Sequence, residues 1–307
     1  MNTLSCTNLS AMGRDIPTPF QLSITEEQGR SILEIESILR IVPGRRLVAL
    51  ARWRDSQVIV KLFFHGSHWK RNLQRDLNGI NLLSQAKIPT PAVLRQTTTE
   101  DSKGGVLIIE YLQQGTSLGA LLESAANEAE IDEVMKLAIK TISLCHRSGL
   151  WQKDIHLDNF MLAAGVVYLL DGGDIKAKGE QLDGRVARQN LALFFAQFSP
   201  IFDEKVAALL QEYQLHVAAL VDVELERFRN EIKQARRLRL SKFERKLFRS
   251  TTANRSERSS SRFCVYDRSI HSPELERFIE DPDSFISEDK LLKRGNSSTV
   301  ALVGRCR

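Results

Sequence analysis

The stretch Trp151-Gln152-Lys153-Asp154-Ile155-His156-Leu157-Asp158-Asn159-Phe160 is followed by an apolar run, Val166-Val167-Tyr168-Leu169-Leu170, that ends on Asp171-Gly172-Gly173. Asp154 and Asn159 stand five residues apart in a polar loop. Asp171 closes a strand-like run beside two turn-forming glycines, so one short segment offers an acid, an amide and a second acid.

On the amino-terminal side of this segment the pattern is β-rich. Ser37 to Val42, Leu47 to Trp53 and Val58 to Phe63 read as strands separated by a Pro43-Gly44 turn and a polar turn at Arg54 to Gln57. Lys61 stands within the third run. A helix follows, with Trp69, Leu73, Leu77, Ile80 and Leu83 at helical spacing. Asp76 falls on that same apolar face, where an unpaired carboxylate is costly, and Lys61 is its expected cationic partner. Ile88-Pro89-Thr90-Pro91 breaks the helix, and Val93-Leu94 and Val106 to Leu112 supply two more strands.

The rest reads as mainly helical. Ile131, Val134, Ala138, Ile142 and Cys145 form one stripe of a helix that ends at Ser148-Gly149, just before the Asp154 loop. Leu182 to Phe198 is apolar with helical period, and Val206 to Leu240 holds one or two further helices, the second increasingly basic. The expected organisation is an arm at residues 1–36, a β-rich part at 37–115, a helical part at 116–250, a basic linker with a short helix at 251–290, and a terminal hairpin at 291–307 with a Gly-Asn turn. The fold class is therefore α+β, with a small antiparallel β-rich half preceding a larger helical half.

An acid, an amide and a second acid so placed are the side chains that phosphoryl transfer uses. One carboxylate orients the attacking hydroxyl, while the amide and the other carboxylate hold magnesium over the phosphates. Asp154, Asn159 and Asp171 are the candidates for these roles.

In this order, the β-rich half, Lys61, the acidic helix, the Asp154 loop and Asp171 resemble the protein-kinase-like bilobal fold. More narrowly, Val58-Ile59-Val60-Lys61-Leu62-Phe63-Phe64, Ile88-Pro89-Thr90-Pro91, the segment from His146 to His156 and Tyr168 to Gly173 resemble the lipopolysaccharide core kinases of the Kdo/WaaP type. The resemblance covers residues 37 to about 250 and implies an ATP- and magnesium-dependent transfer to a hydroxyl of an inner-core sugar, a heptose or Kdo. It implies Asp154 as the catalytic base, Asn159 and Asp171 as magnesium ligands, and Lys61 on the α- and β-phosphates with Asp76 as its partner. It also implies Glu110 to Leu112 as the hinge that meets adenine, and Pro43-Gly44 over the phosphates.

The chain departs from the common pattern at four places. Gln152 stands where many kinases have His, Asp171 precedes Gly172-Gly173 without the usual Phe, Asp76 is one methylene shorter than the customary Glu, and the phosphate-covering turn has only Gly44. Two alternatives stay open beside the sugar kinase: an atypical Ser/Thr or small-molecule kinase, and a catalytically impaired pseudokinase acting as an interaction module. The terminal hairpin also resembles the opening of a second kinase-like domain, although an ordinary hairpin is the simpler expectation. His146, His156 and the three tryptophans are expected to be structural.

Composition limits the other possibilities. The apolar runs are far shorter than the roughly 20 residues that span a bilayer, and residues 1–15 lack the basic and apolar segments of an export signal. Four cysteines without metal-ligand or paired spacing suit a reducing compartment, so a cytoplasmic location is expected, and the resemblance implies a place at the inner face of the inner membrane. The net charge of +5 is uneven, because Arg227 to Arg262 holds a dense run of cations. Such a run suits either a phosphate-rich surface or a solvated helix face with a basic linker; the resemblance implies peripheral contact with an anionic membrane, and nucleic acid is not expected. The oligomeric state is not readable.

Overall fold

The computed structural model describes residues 2–27, 29–64, 66–217, 224–251, 253–260, 262–294 and 299–301. The chain divides into two compact units, Met1–Arg236 and Arg237–Arg307. The first opens with α1 (Cys6–Met12), β1 (Phe20–Glu26), β2 (Gly29–Val42), β3 (Arg46–Trp53), β4 (Ser56–Phe63), α2 (Trp69–Gln85), β5 (Val93–Thr98) and β6 (Gly105–Glu110). Six strands form one antiparallel sheet in the order β1-β2-β3-β4-β6-β5.

The arm expected at residues 1–36 is instead part of this sheet. Phe20, Leu22 and Ile24 alternate with polar residues, as do Leu33 and Ile35, and each set is buried. That period of two drives β1 and β2 into the core with α1, whose Ser5 and Asn8 cap one another. Five expected strands thus become six.

The sheet has an apolar core on each side. Val58, Val60 and Leu62 of β4 enter the core shared with α1, while Ile59 and Phe63 pack toward α2 with Trp69, Leu73 and Ile80. Lys61 alternates with the first set, so strand geometry delivers its side chain to the α2 side.

The helical remainder of this unit comprises β7 (Thr116–Ser117), α3 (Leu118–Ser124), α4 (Glu128–Arg147), β8 (Leu150–Gln152), β9 (Phe160–Ala163), β10 (Val166–Leu169), β11 (Ile175–Ala177), α5 (Gly184–Phe195) and α6 (Val206–Gln214). Its core joins Met135, Ile139 and Ile142 of α4 to Leu191, Phe194 and Phe195 of α5 and Leu209 and Tyr213 of α6. The helix α7 (Leu225–Leu247) adds Phe228 and Ile232 to that core.

The boundary between the units falls within α7. The second unit continues with β12 (Asn254–Arg258), β13 (Phe263–Asp267), α8 (Pro273–Glu280), β14 (Leu291–Arg294) and β15 (Thr299–Ala301). The basic linker expected within residues 251–290 instead contains a hairpin, because Asn254 to Arg258 pairs with Phe263 to Asp267. α8 is the short helix expected within residues 251–290, capped by Ser272 with Pro273 at its first position. β14 and β15 pair antiparallel, and the Gly-Asn turn expected between them lies outside the described residues. No described helix is long and apolar enough to cross a membrane. Cys6, Cys145 and Cys264 are free thiols, and Cys306 lies outside the described residues.

Candidate functional site

Alternation along β4 and the helical period of α2 meet at one ion pair. The Lys61 ammonium donates to both Asp76 carboxylate oxygens, at 3.0 and 3.2 Å, and the Asp76 side chain is only 1% exposed. The partner expected for this buried acid is the one it has.

Asp171 approaches the same lysine from the helical side. Its Oδ1 lies 3.8 Å from Lys61 Nζ and 3.9 Å from an Arg46 guanidinium nitrogen. Burial alone would raise this carboxyl, but the positive charges of Lys61, Arg46 and Arg40 outweigh that effect and hold it below the ordinary range. The Oδ1 atom is buried and makes no hydrogen bond, and the residue adopts a left-handed backbone with φ +58°. Such a conformation is uncommon outside glycine, and only firm packing keeps it.

That packing comes from glycines. A Cβ added to Gly79 of α2 would stand 1.8 Å from the Gly172 carbonyl oxygen, and one added to Gly172 would stand 2.3 Å from the Asp76 carbonyl oxygen. The absence of both side chains lets the helix that carries Asp76 lie against the turn that carries Asp171.

Hydrogen bonds join the Asp154 loop to the same turn. Leu170 donates its N–H to the Asn159 carbonyl at 2.7 Å, and Lys153 donates to the Asp174 carbonyl at 2.9 Å. The Gln152 side chain donates to the Leu170 carbonyl at 2.9 Å, while the Asn159 amide nitrogen donates to the Asp154 carbonyl at 2.8 Å. Asn159 is buried, and its remaining side-chain polar atom, Oδ1, is the one suited to a cation. The Asp154 side chain is exposed.

A further network lies beneath the loop. Asn190 donates Nδ2 to the Gln152 carbonyl at 2.8 Å, which turns its Oδ1 toward His146 Nε2 at 3.0 Å. His146 must then donate from Nε2 and accept the Tyr213 hydroxyl at Nδ1, 2.7 Å away, which is the neutral tautomer. Burial drives its imidazole down to about 4. His146 is structural, as expected.

A cavity of about 240 Å³ lies beside Lys61 and Asp171. Val48, Ile59 and Ile109 line it from the sheet, and Met161 and Leu170 from the helical part. Glu110, Tyr111, Leu112 and Gly115 also line it, so the expected hinge segment is at its wall. Glu110 is fixed there by its carboxylate, which accepts from the Ala92 N–H at 3.1 Å.

Gly44 is elsewhere. It has φ +63° in the β2–β3 turn, its nearest contact for an added Cβ is Ser10 Oγ of α1 at 3.6 Å, and it does not line the cavity. The structure thus brings together Lys61, Asp76, Asp171, Glu110 and Leu112, ties Asp154 to Asn159, and turns Gly44 toward α1. Sequence reasoning missed Arg46, Arg40 and Gly79. A glycine inside a strongly helical pattern was the visible signal for the last.

Among the described residues no group of three or more His, Cys, Asp or Glu side chains could hold a metal ion. A carboxylate oxygen without a hydrogen bond, Asp171 Oδ1, and an amide oxygen on the loop tied to its turn, Asn159 Oδ1, are the ligand types that a hard cation taking few protein ligands accepts.

No protein-family model matches the chain, and no curated protein matches its sequence.

Proposed function

We propose that this chain is an ATP- and magnesium-dependent phosphotransferase of the protein-kinase-like bilobal class, acting on a hydroxyl. The observation that carries the reading is the buried Lys61–Asp76 pair facing Asp171 at the edge of an apolar cavity of about 240 Å³. An apolar cavity with a few convergent polar groups suits a nucleobase. Glu110 to Leu112 and Lys61 line this cavity, so the backbone of that segment would meet the base edge and the lysine would neutralise the phosphates.

Asn159 and Asp171 would hold magnesium, which supplies charge neutralisation on the transferring phosphoryl group. Asp154 takes the proton of the acceptor hydroxyl as its oxygen attacks, and the hydrogen bonds from Asn159 and Gln152 keep the loop in register with Asp171. The exposure of Asp154 suits an acceptor carried on a large molecule.

For the acceptor we take the inner-core sugar of lipopolysaccharide that the resemblance implies. What supports a membrane-borne acceptor is the later part of α7. Arg237, Lys242, Arg245 and Lys246 are exposed there together with Leu238, Leu240 and Phe243, and Phe248 packs on Phe263 at the surface. Cations mixed with exposed aromatic and leucine side chains suit an anionic lipid interface. A second copy of the chain would meet this surface with the same charge.

Arg236 does not belong to that surface. It donates to Asp203 at 2.8 Å and to the Phe198 carbonyl at 3.1 Å, so it anchors α7 and is not free for lipid.

The test is ATP turnover with deacylated lipopolysaccharide core as acceptor. Asp154→Ala should lose on the order of 10²-fold or more in rate while keeping magnesium-dependent stabilisation by ATP. Wild type that neither turns over ATP nor gains thermal stability from it would overturn the reading.

A further inference from the structure

The β2–β3 turn is poorly equipped to hold phosphate through its backbone. Pro43 has no N–H, and the Arg45 N–H is taken by the Val42 carbonyl at 3.0 Å, so Gly44 alone could offer one. Turns that bind phosphate well present several converging N–H groups.

Cations occupy that side of the sheet instead. Arg40 pairs opposite Val48, and Val48 opposite Lys61, so the three side chains form one row on the same face of β2, β3 and β4. Arg46 precedes Val48 by two residues and shares that face. Asp76 is spent on Lys61, and among the described residues Asp171 is the other carboxylate in contact with the row of three positive charges. Its contacts with Lys61 and Arg46, at 3.8 and 3.9 Å, are too long for hydrogen bonds. Arg46 is also held in place, with its side chain 20% exposed. The row is thus under-neutralised, and it borders the cavity that Val48, Ile59 and Lys61 line.

We propose that Arg46 and Arg40 clasp the terminal phosphates of a nucleoside triphosphate and so do the work that backbone amides do in a glycine-rich turn. A guanidinium offers a planar fork of donors that matches two phosphate oxygens, whereas an ammonium offers a point charge. The inference rests on the nucleotide reading above and extends it: the site recognises the polyphosphate through side chains, and the triphosphate binds far better than the nucleoside.

Titration calorimetry with magnesium-ATP and with adenosine tests it on the full chain, for wild type, Arg40→Gln, Arg46→Gln and Arg46→Lys. Arg46→Gln should weaken ATP binding roughly tenfold to a hundredfold, Arg40→Gln should weaken it less, and Arg46→Lys should recover part of the loss. Adenosine affinity should stay within about twofold throughout, which also shows that the variants are folded. If wild type prefers ATP to adenosine and Arg46→Gln keeps that preference, the clasp is wrong and the nucleotide site stands. Equal wild-type affinity for ATP and adenosine would likewise remove the clasp alone, and binding of neither would remove both readings.

Discussion

Gly79, midway along α2, lies against the backbone of Gly172, so closely that a Cβ on Gly79 would come within 1.8 Å of the Gly172 carbonyl oxygen. Alanine is the better helix former by about 1 kcal/mol, yet Gly79→Ala should destabilise the protein by roughly 1–3 kcal/mol through overpacking. It should also weaken nucleotide binding, because Asp76 and Asp171 ride on the two segments that are forced apart. Chemical denaturation checks the first effect and ATP titration the second. A Gly79→Ala protein as stable as wild type would mean that helix and turn do not touch.

The Lys61–Asp76 pair invites a double-mutant cycle. Lys61→Met leaves a carboxylate that is 1% exposed without its cation, a loss of about 3–5 kcal/mol for a buried pair. Lys61→Met with Asp76→Leu should regain most of that stability while ATP binding stays lost. Recovery of ATP binding in the double variant would separate the pair from the nucleotide.

Acid should loosen the fold before its carboxylates titrate. Unfolded, His146 takes up its proton near 6.5; folded, burial delays this to about 4. Between those values the unfolded chain binds more protons, so stability falls as pH drops, by about 3 kcal/mol across the window. Asp171, held below the ordinary carboxylate range, contributes stability above that range that is lost only at lower pH. Urea midpoints at pH 7.5, 6 and 5 should therefore shift in wild type and shift less in His146→Gln. Parallel shifts in both proteins would assign the pH response to other groups.

Membrane association should depend on α7 beyond Arg236. Charge reversal at Arg237, Lys242 and Arg245 should weaken sedimentation with vesicles rich in anionic phospholipid by about a hundredfold, at roughly 1 kcal/mol per cation. Vesicles of neutral lipid should bind neither protein. Equal binding of wild type and variant to the anionic vesicles would leave the exposed Phe243 and Leu240 without this role.

Much of this arrangement was legible because it is local or periodic. Lys61 in a β-rich run, Asp76 on an apolar helical face and Asp171 at a strand end each follow from spacing within a few residues. The strands from Phe20 to Val42 were also written in the alternation of Phe20, Leu22, Ile24, Leu33 and Ile35, although residues 1–36 read as an arm. Arg40 and Arg46 were not legible, since their common face depends on a register across three strands, with a shift between Ile38 and Arg40. Arg236 looked like one cation among many, and only the fold turns it toward Asp203.

The hydrogen-bond chain from Tyr213 through His146, Asn190 and Gln152 ends at the carbonyl of Leu170, the residue before Asp171. A genetic screen for inactive alleles would therefore return hits in α6, in a residue that touches neither the cavity nor the Asp154 loop. Tyr213→Phe keeps the ring and removes one link, so it would make a conditional allele, silent in the cold and defective when warmed.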